Sequence, residues 1–126
     1  MPTSVEEIRP RVMYFRYEGG INVKGLTDAF DECVRLVNER GYASQEFVSI
    51  FDLRYSFIEK SDMRGLATAT QFEPAPAMVY FVPNPKKIII TKFTQLTLHF
   101  AKRNFMMANN FDHALHLACE RVSVFD

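Results

Sequence analysis

Hydrophobic and polar positions along this chain change period repeatedly, and the changes predict an alternation of strands and helices. In RVMYFRYE, Met13, Phe15 and Tyr17 point one way and Val12, Tyr14 and Arg16 the other, the period-two pattern of a strand ended by Gly19-Gly20. From Leu26 to Arg40 the apolar positions Phe30, Cys33, Val34 and Val37 recur at three and four residues, which predicts an amphipathic helix. Thr27 is its expected N-cap, Asp28, Asp31 and Glu32 lie near the positive end of its dipole, and Arg40-Gly41 closes it. Phe47 to Leu53 is apolar except at Ser49 and Asp52, and it is too short for an independent helix. It reads as a strand covered on both faces.

The turn RYSFIEK leads to a helix capped by Ser61 that runs to about Phe72, where Pro74 and Pro76 stop it. Ala77 to Val82 is a second interior strand. Asn84-Pro85 then has the chemistry of a helix start, a capping side chain followed by a residue that needs no amide partner. Ile89, Phe93, Leu96 and Phe100 continue at helical steps, although the β-branched run at 88–91 makes a strand over 87–91 the rival reading. A short strand at Phe105 to Ala108 and a helix at Asp112 to Val122 complete the series. Leu115, Ala118, Cys119 and Val122 form the sheet-facing stripe of that last helix.

This alternation predicts an α/β fold, a mainly parallel or mixed sheet of four to five strands with helices packed on it, in one domain over residues 1–126. The first ten residues are polar and carry two prolines, and read as a loosely ordered arm. Ligands of open α/β sheets bind beyond the carboxyl ends of the strands. Here that rim comprises Gly19-Gly20, Asp52 to Tyr55, Pro83-Asn84 and Asn109-Asn110.

Composition narrows the function. With 126 residues, 48% apolar and 24% charged, the chain can bury one core without metals or disulfides. Fifteen basic and fifteen acidic side chains cancel, which argues against nucleic acid as a partner. The balance is uneven, because between residues 74 and 111 stand Lys86, Lys87, Lys92, Lys102 and Arg103 with no acid, a solvated face or a surface for an anionic partner. Cys33 and Cys119 fall among apolar helix positions and are expected as buried, reduced thiols. Together with a start that lacks signal-peptide character, they predict a cytoplasmic protein. No apolar run reaches the ~18 residues of a membrane span.

Few residues suggest chemistry. No GxSxG, GxxxxGKS or GxGxxG pattern occurs. His113 and His116 share the last helix but have no further ligands nearby in sequence, and His99 lies beside apolar positions as a core or boundary residue, so neither a metal nor another cofactor is expected. Asp52 and Glu59 are the carboxylates nearest the rim and the residues any small enzyme would use.

Three segments carry a family resemblance. DLRYSFIEKSDMRGL is similar to the strand, turn and helix of SpoIIAA-like (STAS-like) domains, in which an aspartate ending a central strand precedes a short loop and helix. AMVYFVPNP resembles the strand that follows, and FMMANNFDHALHLACERV resembles the family's closing strand and helix. The resemblance spans about Arg11 to Val122 and implies a small bacterial domain, akin in fold also to lipid-binding CRAL-TRIO domains. It further implies that a serine at the start of the helix after the aspartate, here Ser61, can act as a phosphorylated switch, although Glu59-Lys60-Ser61-Asp62 departs from the antagonist pattern Asp-Ser-x-Gly.

The expected function is accordingly that of a non-enzymatic binding or regulatory domain. It would take a protein partner or a small anionic or apolar ligand at Asp52, Arg54, Tyr55 and Asn84. A phospho-switched regulator using Ser61, an enzyme using Asp52 or Glu59, and a homodimer with an apolar interface are the alternatives.

Overall fold

A computed structural model describes residues 3–58, 63–86 and 88–125. Its elements in chain order are β1 (Thr3–Arg9), β2 (Val12–Ile21), α1 (Val23–Arg40), β3 (Val48–Ile58), α2 (Met63–Ala69), β4 (Val79–Val82), α3 (Ile88–Phe100), β5 (Phe105–Met107) and α4 (Phe111–Val122), followed by a 3-10 turn at Ser123–Phe125. The strands form one sheet in the order β1-β2-β3-β4-β5. β1 runs antiparallel to β2, and all other pairs are parallel.

Chirality dictates where the helices go. Strands β2 to β5 are laid down side by side in sequence order, and right-handed crossovers between such neighbours deliver every connecting helix to the same face. α1, α2 and α3 therefore share one layer, where Phe15, Phe30, Phe51, Phe81, Leu66 and Leu98 form the larger core. α4 covers the opposite face through Ala114, Ala118 and Val122, which meet Val12, Tyr14, Val48, Ile50, Tyr80 and Val82. Small residues on α4 let its backbone approach the sheet closely. The two-way alternation read along Val12–Tyr17 divides between these cores as expected, and β3 and β4 are covered on both faces.

Several boundaries depart from the sequence reading. The leading segment is not a loose arm: Thr3–Arg9 is an edge strand paired with β2. Glu7 anchors it, accepting hydrogen bonds from the Arg11 amide, the Tyr42 hydroxyl and Arg40 Nε at 2.9, 2.6 and 2.7 Å. Gly19-Gly20 lies within β2, paired with Ser56 and Phe57, so neither that dipeptide nor most of RYSFIEK is a turn. Asn22 rather than Thr27 caps α1, its Oδ1 accepting from the Gly25 amide at 2.8 Å, and Gly41 closes the helix with a left-handed φ of 74°. The segment over 88–100 is a helix, which rules out the rival strand. α2 ends at Ala69, before Phe72.

Of the cysteines, Cys33 is buried and Cys119 only partly so. Burial pushes the Cys33 thiol up to about 12, with Glu32 adding to the shift. His99 is exposed on α3 against Phe100 rather than at a core boundary.

Phe51 sits at the centre of the larger core, with ring centroids 4.9, 5.6 and 6.0 Å from those of Phe15, Tyr17 and Phe30. Removing that ring leaves a void that interior strands cannot collapse to fill. Phe51→Ala is expected to cost about 3–5 kcal/mol in urea denaturation; a loss below ~1 kcal/mol would show that this cluster does not hold the domain together.

Candidate functional site

A β-bulge organises the carboxyl-end rim. Arg16 pairs with Asp52, but the next aligned pair is Glu18 with Tyr55, so β3 carries one residue more than β2. The extra residue resets the alternation. Leu53 stays in the core of the three-helix face, while Tyr55 comes to the side of Arg16 and Arg54, whose guanidinium carbons lie 4.8 and 5.1 Å from its ring centroid. The Arg54 amide donates to Asp52 Oδ1 at 3.2 Å, a local bond that supports the bulge.

Asp52 is fully buried, at 0% exposure. Its carboxylate is held from two sides: Arg54 donates Nε to Oδ1 at 2.9 Å and Nη2 to Oδ2 at 2.8 Å, and the Tyr14 hydroxyl donates to Oδ2 at 2.5 Å. The Arg54 fork is the planar bidentate match that guanidinium makes with carboxylate. Burial is the largest single influence on Asp52 and pushes its pKa up, but Arg54 and Tyr14 together outweigh it and hold the carboxyl below its ordinary value of 3.8. The reverse holds for Tyr14, which burial and then the Asp52 carboxylate raise to about 12. Arg54 is raised by the same ion pair.

The first residue of α4 closes this cluster. Phe111 meets the Tyr14 ring edge-on at 5.4 Å, and its ring lies 5.7 Å from the Arg54 guanidinium carbon. Asn110 fixes the helix start by accepting from the His113 amide at 2.8 Å. Outside the buried triad, Arg16 Nε pairs with Glu18 at 2.6 Å, and Tyr55 stands 49% exposed between the two arginines. The result is a neutralised, rigid base carrying an aromatic ring between two cations.

Asp52, Arg54 and Tyr55 are thus brought together. Asn84 is not part of that group: it is buried, donating Nδ2 to the Ser56 carbonyl at 3.1 Å and accepting from the Lys86 amide at 3.0 Å. It ties the end of β4 to β3 through an Asx-type turn, and α3 begins only at Ile88. Ser61 and Glu59 lie outside the described residues. Sequence reading missed Tyr14, Arg16 and Phe111. An Asp and an Arg two apart on a regular strand share a face, so the Asp52–Arg54 pair was in principle visible; the three others depend on the pairing of β2 with β3 and on the docking of α4.

The basic stretch is also reassigned in part. Arg103 is nearly buried and structural, donating to the Thr70 and Phe72 carbonyls at 2.9 and 2.7 Å. The Asn109 amide donates to His113 Nδ1 and His116 pairs with Glu120, and among the described residues no cluster of three metal-ligating side chains occurs. No described helix is long and apolar enough to cross a membrane.

No protein-family model matches the chain, and no curated protein sequence does. Among solved structures it is similar to an uncharacterised DUF3478-family protein with a SpoIIAA-like fold from Shewanella loihica PV-4, with a TM-score of 0.59 over 93% of this chain and 92% of that one. Identity is 13%, so the likeness concerns the fold. The SpoIIAA-like architecture expected from the three sequence segments is the one observed.

The depressed Asp52 pKa carries a pH signature. A carboxylate more acidic in the folded than in the unfolded state contributes stability above its unfolded value and loses that contribution as pH falls through the folded one. The stability difference between wild type and Asp52→Asn is therefore expected to be largest near pH 7 and to shrink towards pH 2, by urea denaturation across that range. Arg54→Met leaves the buried carboxylate without its cation. It should cost about 2–4 kcal/mol at pH 7, the lower half applying because Arg54 is 34% exposed. Its Asp52 should titrate higher than in the wild type, so the Asp52 contribution near pH 7 is smaller in that variant.

Proposed function

We propose that this protein is a non-enzymatic binding or regulatory domain that engages a protein partner through the rim patch centred on Tyr55. One observation carries the reading. An aromatic ring half in water is held between two guanidinium groups, over a buried ion pair that cannot rearrange cheaply. Tyrosine and arginine are the side chains that dominate protein interfaces, and a pre-positioned ring loses little conformational entropy on contact.

The topology supports a protein rather than a small molecule at this place. A ligand crevice at strand ends arises where the strand order reverses, and β2 to β5 run without reversal. Asp52 is also poorly suited to proton transfer. Both of its oxygens are engaged and its pKa is pulled away from neutrality, which weighs against the enzyme alternative at that residue.

Photo-crosslinking in the native host tests the proposal. A benzophenone side chain at position 55 is expected to trap one protein, whereas the same group at the 70% exposed Val124 traps none in common with it. With that partner purified, Tyr55→Ala and Arg16→Ala should each weaken binding about tenfold or more while leaving thermal stability unchanged. Unchanged affinity in both variants would sink the reading.

A further inference from the structure

The outer side of α3 carries apolar residues where a solvated helix would carry polar ones. Lys92, Leu96 and Phe100 recur every four residues and so share one stripe, turned away from Ile90, Thr97 and Leu98, which are buried. Leu96 is 49% exposed and Phe100 59%, and His99 stands exposed beside them. A single apolar residue on a surface needs no explanation, but two in one stripe, a turn apart, make a continuous apolar strip along the helix.

The charges around this strip have one sign. Between residues 74 and 111 the chain has no acid, and Lys86, Lys92 and Lys102 are exposed before, within and after α3. Among the described residues none of the three pairs with a carboxylate. Residues 1–73 hold twelve acids against nine bases, so the molecule is neutral as a whole while its α3 side is positive. Lys102 stands where glycine is usual. It closes α3 at a φ of 58°, its amide donating to the His99 carbonyl and the Arg103 amide to the Leu98 carbonyl, each at 3.0 Å. Glycine adopts this left-handed conformation without strain, and Gly41 does so at the end of α1. A lysine in that position gives up stability and leaves a cation two residues beyond Phe100.

We infer that the exposed side of α3 is a docking face for an anionic lipid bilayer, the helix lying in the plane of the surface with Leu96 and Phe100 at the acyl boundary and Lys92 and Lys102 among the headgroup phosphates. The identity of the cations favours lipid over protein. Protein interfaces are enriched in arginine and depleted in lysine, and the one arginine of the segment, Arg103, is turned inward to the Thr70 and Phe72 carbonyls. Lysines on flexible stems suit a diffuse negative surface without fixed partners, reaching its phosphates while their stems lie on apolar surface. The contact is peripheral, since no described helix is long and apolar enough to cross a membrane. It is independent of Tyr55 and of a protein partner at the rim.

Co-sedimentation with lipid vesicles tests this. The protein should sediment with phosphatidylcholine vesicles containing one-third phosphatidylglycerol and not with pure phosphatidylcholine, and should come off as salt rises from about 0.05 to about 0.5 M. Leu96→Gln combined with Phe100→Gln should weaken vesicle binding about tenfold or more. Val124→Gln, at a 70% exposed apolar residue beyond α4, should leave it unchanged. Lys102→Gly should weaken binding about fivefold, the worth of one lysine at such a surface, and raise the melting temperature by about 3 °C by relieving the left-handed strain. Equal binding to neutral and anionic vesicles, binding to neither, or unchanged binding in both the double variant and Lys102→Gly would overturn the inference. Retention on immobilised polyglutamate without vesicle binding would overturn it too, and would assign the face to an acidic protein.

Discussion

The carboxylate of Asp52 is the group on which the organisation of this protein turns. It sits in the middle strand of the sheet with no access to water, where an ionised group is tolerated only if its charge and lone pairs are fully answered. Arg54 answers the charge from two residues further along the same strand, and Tyr14 answers from the neighbouring strand. Each answer constrains something larger. The Arg54 amide, bonded to the same carboxylate, supports the bulge in β3, and the Tyr14 bond ties β2 to β3. Phe111, packed on both partners, ties the start of α4 to the same point.

From that constraint the surface of the rim follows. The bulge carries Tyr55 to the side of the two arginines, and the buried ion pair beneath gives it a stiff support. A charge network of this kind adds little net stability compared with well-packed apolar residues, but it penalises any other arrangement heavily. Such a network suits a place where geometry matters more than strength, as it does at a contact surface.

The sheet's strand order divides the molecule in a second way. Because every crossover falls on one face, that face must be tiled by three helices of 18, 7 and 13 residues, while α4 alone covers the other. Helices of such unequal length do not close a layer evenly. A small apolar recess lies beside Tyr17, lined by Leu66 of α2 and by Phe93 and Leu98 of α3. The opposite face, sealed by the alanine stripe of α4, has a second, separate core.

Local pattern was sufficient for much of the architecture. The alternation over Val12–Tyr17, the apolar run into β3, the helical spacing of Phe30, Cys33 and Val37, and the breaks at Gly41 and the prolines all act within a few residues, so element type and fold class could be read directly. Where the reading failed, a distant partner had decided. Thr3–Arg9 becomes a strand because β2 offers an edge and Tyr42 and Arg40 hold Glu7. Gly19-Gly20 stays within the sheet because β3 pairs with it, Gly19 taking a φ of 74° there, and Asn84 leaves its expected cap to satisfy the Ser56 carbonyl. Sequence alone thus determined the strand or helix character of the interior elements, since those preferences are set by neighbours along the chain. The meeting of Tyr14, Arg16 and Phe111 with Asp52 and Arg54, and the hollow beside Tyr17, were decided only by tertiary structure, because strand register and helix docking join residues that the sequence keeps far apart.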